Sequence, residues 1–118
     1  MKTIPEKNKL LALFMNGVLH PESNDHWEAI SLDGYIRGTF RISDLMYHQS
    51  NDWLASVITK IGELHHEINI NISEGFLTCT LLAYNDKGEN VADFLNQGDD
   101  AVYETAVQFV EWYNTQQT

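Results

Sequence analysis

The chain has 118 residues, of which 43% are hydrophobic and 11% aromatic, enough apolar surface to offset the entropy of ordering one domain and to exclude a disordered polymer. Seven Lys and Arg stand against 17 Asp and Glu, a formal net charge of -10, which argues against nucleic-acid binding by phosphate neutralisation and against adsorption to anionic membranes. The one cysteine, Cys79, excludes an intrachain disulfide and points to a reducing cytoplasm.

Thr3 as a cap and Pro5 in the first turn predict a helix that runs to about Met15, where Asn16-Gly17 supplies a left-handed stop. The apolar run at 10–19 is too short to span a bilayer and is broken by that stop, so an amphipathic helix of the mature protein is expected. Residues 20–26 read as a polar loop. Its histidines, His20 and His26, make neither a helical pair nor a finger spacing, so no metal site is expected. Asp33-Gly34 then separates two runs, 27–32 and 35–40, rich in β-branched and aromatic residues, which is a hairpin signal. Gly38 within the second run marks a bulge or a close contact.

The longest segment in which capping and periodicity agree is 44–64. Ser50 is a good N-cap, Asp52 places a carboxylate in the first turn, and Gly62 lies near the expected end. Trp53, Leu54, Val57, Ile58, Ile61 and Leu64 recur at intervals of three and four, so one face lies on a core. His65 and His66 follow as exposed cations or polar caps at the helix end. Isoleucines alternate with polar residues over 68–73, predicting a strand. A second strand over 76–84 holds Cys79 as a buried small hydrophobe, 85–88 is a turn and 89–95 a return strand. Asp99 or Asp100 caps a last helix with Val102, Ala106, Phe109, Val110 and Tyr113 on one face, ending near Asn114.

The expected fold is therefore one α+β domain over residues 1–118, in the order α-β-β-α-β-β-β-α. A mainly antiparallel sheet of about five strands carries three helices on one face.

Two places in the chain could carry function. At the entrance to the central helix, Tyr47, His48, Asp52 and Trp53 gather aromatics, an imidazole and a carboxylate at a positive helix end. Such a group can hold a small anion or a peptide, and it can equally be a loop pinned to the core by its aromatics. After Lys87 there is no basic residue, while Asp99, Asp100, Glu104 and Glu111 offer an acidic surface to a basic partner, or a mimic of nucleic acid. The chain has no G-x-S-x-G, glycine-rich phosphate cradle, HExxH or CxxC pattern, so no catalytic residue, metal or cofactor is assigned.

The series Leu45-x-Tyr47-His48-x-Ser50-x-Asp52-Trp53-Leu54, with Val57 and Lys60-Ile61, resembles a Tyr-His-x-Ser-Trp-Asp-Trp-Leu-Met-Pro-Val-Val-Glu-Lys-Ile segment found in small uncharacterised proteins of Bacteroidetes and their phages. Val102-Tyr103 through Val107, Phe109 and Trp112-Tyr113-Asn114 is similar to the last helix of those proteins, and Leu11-x-x-Phe14-Met15 to their first. Asn51, Ser56 and Thr59 replace the first Trp, the Pro and the Glu of that segment. The resemblance implies a setting on a phage or mobile element and no chemistry, because those proteins have no established activity. The expectation is a small non-catalytic accessory or interaction protein, acting through a protein partner or as a homo-oligomer, with an apolar patch beside Trp112, Tyr113 or Trp27. One alternative is a small-ligand binder or hydrolase centred on His48 and Asp52. Another is a nucleic-acid mimic whose carboxylates are spaced like phosphates.

Overall fold

A capping box starts the first helix. In the computed structural model, which describes residues 2–20, 28–73 and 75–116, the Thr3 hydroxyl accepts from the Glu6 N–H at 3.3 Å while the Glu6 carboxylate accepts from the Thr3 N–H. The helix, α1, runs Ile4–Phe14, and Asn16 at φ 65° takes the left-handed conformation expected of the stop. Gly17 is required for space: a Cβ there would lie 2.6 Å from the Ile30 side chain and 2.8 Å from the Ala12 carbonyl oxygen.

The chain divides into two compact units, Met1–Val57 and Ile58–Thr118, with the division inside the second helix, α2 (Asn51–Glu63). In the first unit, β1 (Val18–His20), β2 (Ala29–Asp33) and β3 (Arg37–Arg41) pair antiparallel in chain order. Leu19, Ile30 and Phe40 align across one face, and Val18, Ser31 and Thr39 across the other. A short 3-10 turn, Ile42–Asp44, follows, and α1 packs on this turn and on β2. Leu11, Ala12, Phe14, Ile30, Leu32, Leu45, Tyr47 and Val57 are buried.

The second unit repeats the plan in another order: β4 (Glu67–Ser73), β5 (Phe76–Tyr84) and β6 (Asn90–Gln97) form an antiparallel meander, and α3 (Ala101–Gln116) packs on β5 and β6. The register puts Ile68, Leu81 and Phe94 in one row and Ile70, Cys79 and Asn96 in the next, all on the face that α3 covers. The Phe94 and Phe109 rings meet edge to face at 6.5 Å, and the Asn96 amide donates to Thr105 Oγ1 at 2.9 Å and Gln108 Oε1 at 3.0 Å. Cys79 is fully buried there, as expected, and burial pushes its thiol up, which keeps it from acting as a nucleophile.

Three helices in an antiparallel α+β arrangement match the sequence reading, but among the described residues the strands form two sheets of three, six in all, instead of one sheet of about five. The additional strand is β1. It has only three residues, fewer than a period-two pattern needs to show, and it ends in the polar stretch that reads as loop. Alternation reveals which way side chains face and says nothing about which strands share a ladder. The first hairpin also differs in detail. Asp33 pairs with Arg37, so Gly34, Tyr35 and Ile36 make a three-residue loop in place of the expected two-residue Asp-Gly turn. Gly38 makes a close contact: the Phe40 ring tip lies 3.1 Å from where a Cβ would stand. Gly62 lies inside α2 and α3 extends to Gln116. His26 and Trp27 lie outside the described residues, and no described helix is long and apolar enough to cross a membrane.

Candidate functional site

The entrance to α2 is built from the inside. Asn8, on α1 and 1% exposed, donates its amide to the Leu45 carbonyl at 3.0 Å and to His48 Nδ1 at 2.9 Å. His48 Nδ1 must accept in that bond, so the neutral ring carries its proton on Nε2. Tyr47 is buried, and its ring meets Trp53 edge to face at 5.1 Å; Trp53 meets Phe40 in the same way at 5.0 Å. Burial pushes the Tyr47 hydroxyl far above its ordinary range. The Trp53 N–H donates to Ser50 Oγ at 3.3 Å, the cap expected from sequence, while Asp52 stands exposed in the first turn. The cavity beside Tyr47 measures about 20 Å³ and is lined by Met15, Leu32, Tyr47 and Ser56 among others. That is room for about one water, not for a substrate. Tyr47, His48 and Trp53 thus anchor the loop, and Asp52 faces solvent.

Of the acidic residues at the start of α3 and along it, three share a side. Asp99, Asp100 and Glu111 are exposed and Glu104 is half-buried. Asp100, Glu104 and Glu111 fall within about 40° of one another around the helix and span roughly 16 Å.

A second concavity lies in the second unit, at the end of α3. It measures about 850 Å³ and is lined by His65, His66, Tyr84, Asp86, Trp112 and Tyr113, with Leu64 and Val91. Local chemistry explains each wall. Past Glu63 the chain closes with the His65 N–H donating to the Gly62 carbonyl at 3.0 Å and the His66 N–H to the Ile61 carbonyl at 3.3 Å, with His65 left-handed at φ 67°. This is a helix stop with histidine where glycine is usual. It delivers His66 to the end of β5, where the Tyr84 N–H donates to His66 Nδ1 at 3.0 Å. The His66 ring then rests edge-on against Phe109 at 4.9 Å and Trp112 at 6.1 Å. Partial burial, then the neighbouring His65, hold the His66 pKa below the ordinary histidine range. On the opposite wall, Asn85 Oδ1 accepts from the Lys87 and Glu89 N–H groups, both at 3.0 Å, and so fixes the β5–β6 turn that carries Asp86.

The groove offers aromatic faces, one carboxylate and an imidazole whose Nδ1 is committed to the backbone. Among the described residues its lining includes no serine, cysteine or lysine. Such a set can hold a ligand by aromatic contact and by charge. Trp112 and Tyr113 are the residues that the sequence marks as a patch. His65 and His66 read there only as end cations, and their one signal is a histidine pair directly after a helix whose glycine lies too early to end it. No protein family model, curated protein or solved structure matches the chain.

Proposed function

We propose that the protein is a non-catalytic interaction protein whose groove at the end of α3 takes a basic segment of a protein partner. The observation that carries this reading is the groove itself: Trp112, Tyr113 and Tyr84 surround an opening whose rim carries Asp86. The charge around it agrees. Residues 58–118 hold two lysines, Lys60 and Lys87, against ten acidic residues, a formal balance of -8. A guanidinium over the Trp112 face would gain both cation–π attraction and the surrounding negative potential. The resemblance to small phage-associated proteins supplies the setting, an accessory protein of a mobile element working in the cytoplasm.

The alternatives draw less support. A ligand or hydrolytic site at His48 and Asp52 would use an imidazole already tied to buried Asn8 and a carboxylate that stands exposed. A nucleic-acid mimic would draw on the three carboxylates that share a side at α3, one of which, Glu104, is half-buried.

An array of arginine-rich peptides and their charge-reversed counterparts tests the proposal. Basic peptides should bind, should weaken as salt screens the field, and should lose about tenfold in affinity on Trp112→Ala, the scale of a modest interface anchor. Equal binding of acidic peptides, or an unchanged affinity for Trp112→Ala, would overturn it.

A further inference from the structure

The two edges of the second sheet are not alike. β6 carries Asp93 near its middle, and the ladder it shares with β5 is irregular at Ala83 and Tyr84. Charges and bulges of that kind keep an edge from pairing with another chain. β4, the opposite edge, has neither device. Its ladder with β5 is regular from Glu67↔Leu82 to Ser73↔Phe76, it contains no proline, and Glu67 at its start is its one charged residue. Alternate residues of an edge strand turn their N–H and C=O groups outward, so a template for a further strand lies open along its length.

The side chains point the same way. α3 lies over β5 and β6, and the isoleucines of β4 emerge progressively from under it: Ile68 is half-buried, Ile70 is 47% exposed and Ile72 is 79% exposed. They form an apolar row on one face of the strand, with Asn69 and Asn71 exposed on the other.

Residues 68–72 read Ile-Asn-Ile-Asn-Ile, the same in both directions. Antiparallel pairing of a strand with its own copy about a two-fold axis matches each position with its mirror. With the axis at Ile70, Ile68 falls opposite Ile72, Ile70 opposite Ile70 and Asn69 opposite Asn71. Apolar side chains thus meet apolar ones on one face, and amides that can both donate and accept meet on the other. Charge fits as well. Glu67 falls opposite position 73, a serine, so a chain of net charge -10 brings no carboxylate against another along the paired strand. A foreign apolar strand would find the same hydrogen-bonding edge, but the mirror order matches a second copy in every row.

We infer that β4 is a self-association edge: two copies of this chain pair antiparallel through Glu67–Ser73 about Ile70, joining their three-stranded sheets into one of six. This does not depend on the groove reading.

Sedimentation of the full chain tests the inference in the absence of any peptide, so its outcome is separate from that of the peptide array. The expected species has twice the 13.5 kDa chain mass. Ile70→Lys sets two ammonium groups opposite each other at the axis and should weaken the dimer by about tenfold or more. Because Ile70 is exposed, circular dichroism of that variant should stay that of the folded chain. Register is read by cysteine scanning in the otherwise native chain. Ile70→Cys meets its own copy and should oxidise to a covalent dimer. Ile72→Cys meets Ile68 and should crosslink far more slowly. A chain that stays monomeric at about 100 µM, a dimer indifferent to Ile70→Lys, or equal crosslinking at positions 70 and 72 would overturn the inference.

Discussion

His66 shows how much a single residue's role depends on where the backbone delivers it. Read as a neighbour of His65 it is one more cation after a helix; in the fold its Nδ1 accepts the Tyr84 N–H and its ring lies among Phe109 and Trp112. Burial holds its pKa below the ordinary 6.5, so the folded chain binds this proton less well than the unfolded chain does. The stabilisation is therefore complete above about pH 6.5 and is lost as pH falls through that value toward the lower folded pKa. Urea unfolding at about pH 7.5 and about pH 5.5 should show the wild type losing more stability on acidification than His66→Asn, which keeps an acceptor and cannot titrate. Parallel losses would assign the acid sensitivity to other groups. His48 teaches the converse: its half-buried ring and its aromatic neighbours are legible as a cluster, but Asn8, the partner that fixes it, is forty residues away and gives no sign in sequence that it points inward.

At the scale of elements, the signals that sequence conveys correctly are local ones. The Thr3 and Ser50 caps, the Asn16 stop, and the buried stripe of Leu54, Val57 and Ile61 all rest on residues within one or two turns of each other. The end of α2 is misleading because glycine is the usual left-handed residue and Gly62 draws the assignment, whereas His65 takes that conformation. A non-glycine residue there carries a backbone cost, so His65→Gly should raise stability by about 0.5–1 kcal/mol in denaturant unfolding. A loss instead would mean that the His65 side chain contributes more to the wall of the groove than its backbone costs. Strand partnership, in contrast, is a long-range property. Alternation places β4 and β5 within a residue or two, but nothing in it separates one sheet from two.

Charge governs the whole molecule more than any single contact does. Seven basic residues against 17 acidic ones leave a surplus of negative charge, and the second unit bears the larger share. Self-repulsion of this sort destabilises the compact state and is screened by salt, so the melting temperature should rise by a few degrees between about 20 mM and about 200 mM sodium chloride. An unchanged or falling melting temperature would show that attractive pairs such as Lys9–Glu28, at 2.9 Å, outweigh the repulsion. The charge balance is fully legible in sequence. The groove is not, because its walls come from the end of α2, one hairpin turn and the last turns of α3, which only the folded chain brings together.

The unlike edges of the second sheet bear on how far any assembly can grow. A strand that reads the same in both directions makes an isologous contact, which is saturated once a single partner has bound. Growth would need the far edge as well, and there Asp93 and the irregular ladder stand against further strands. The palindrome of β4 and the defended edge of β6 thus favour a finite particle over a fibre, from a chain whose exposed isoleucines would otherwise invite open-ended stacking.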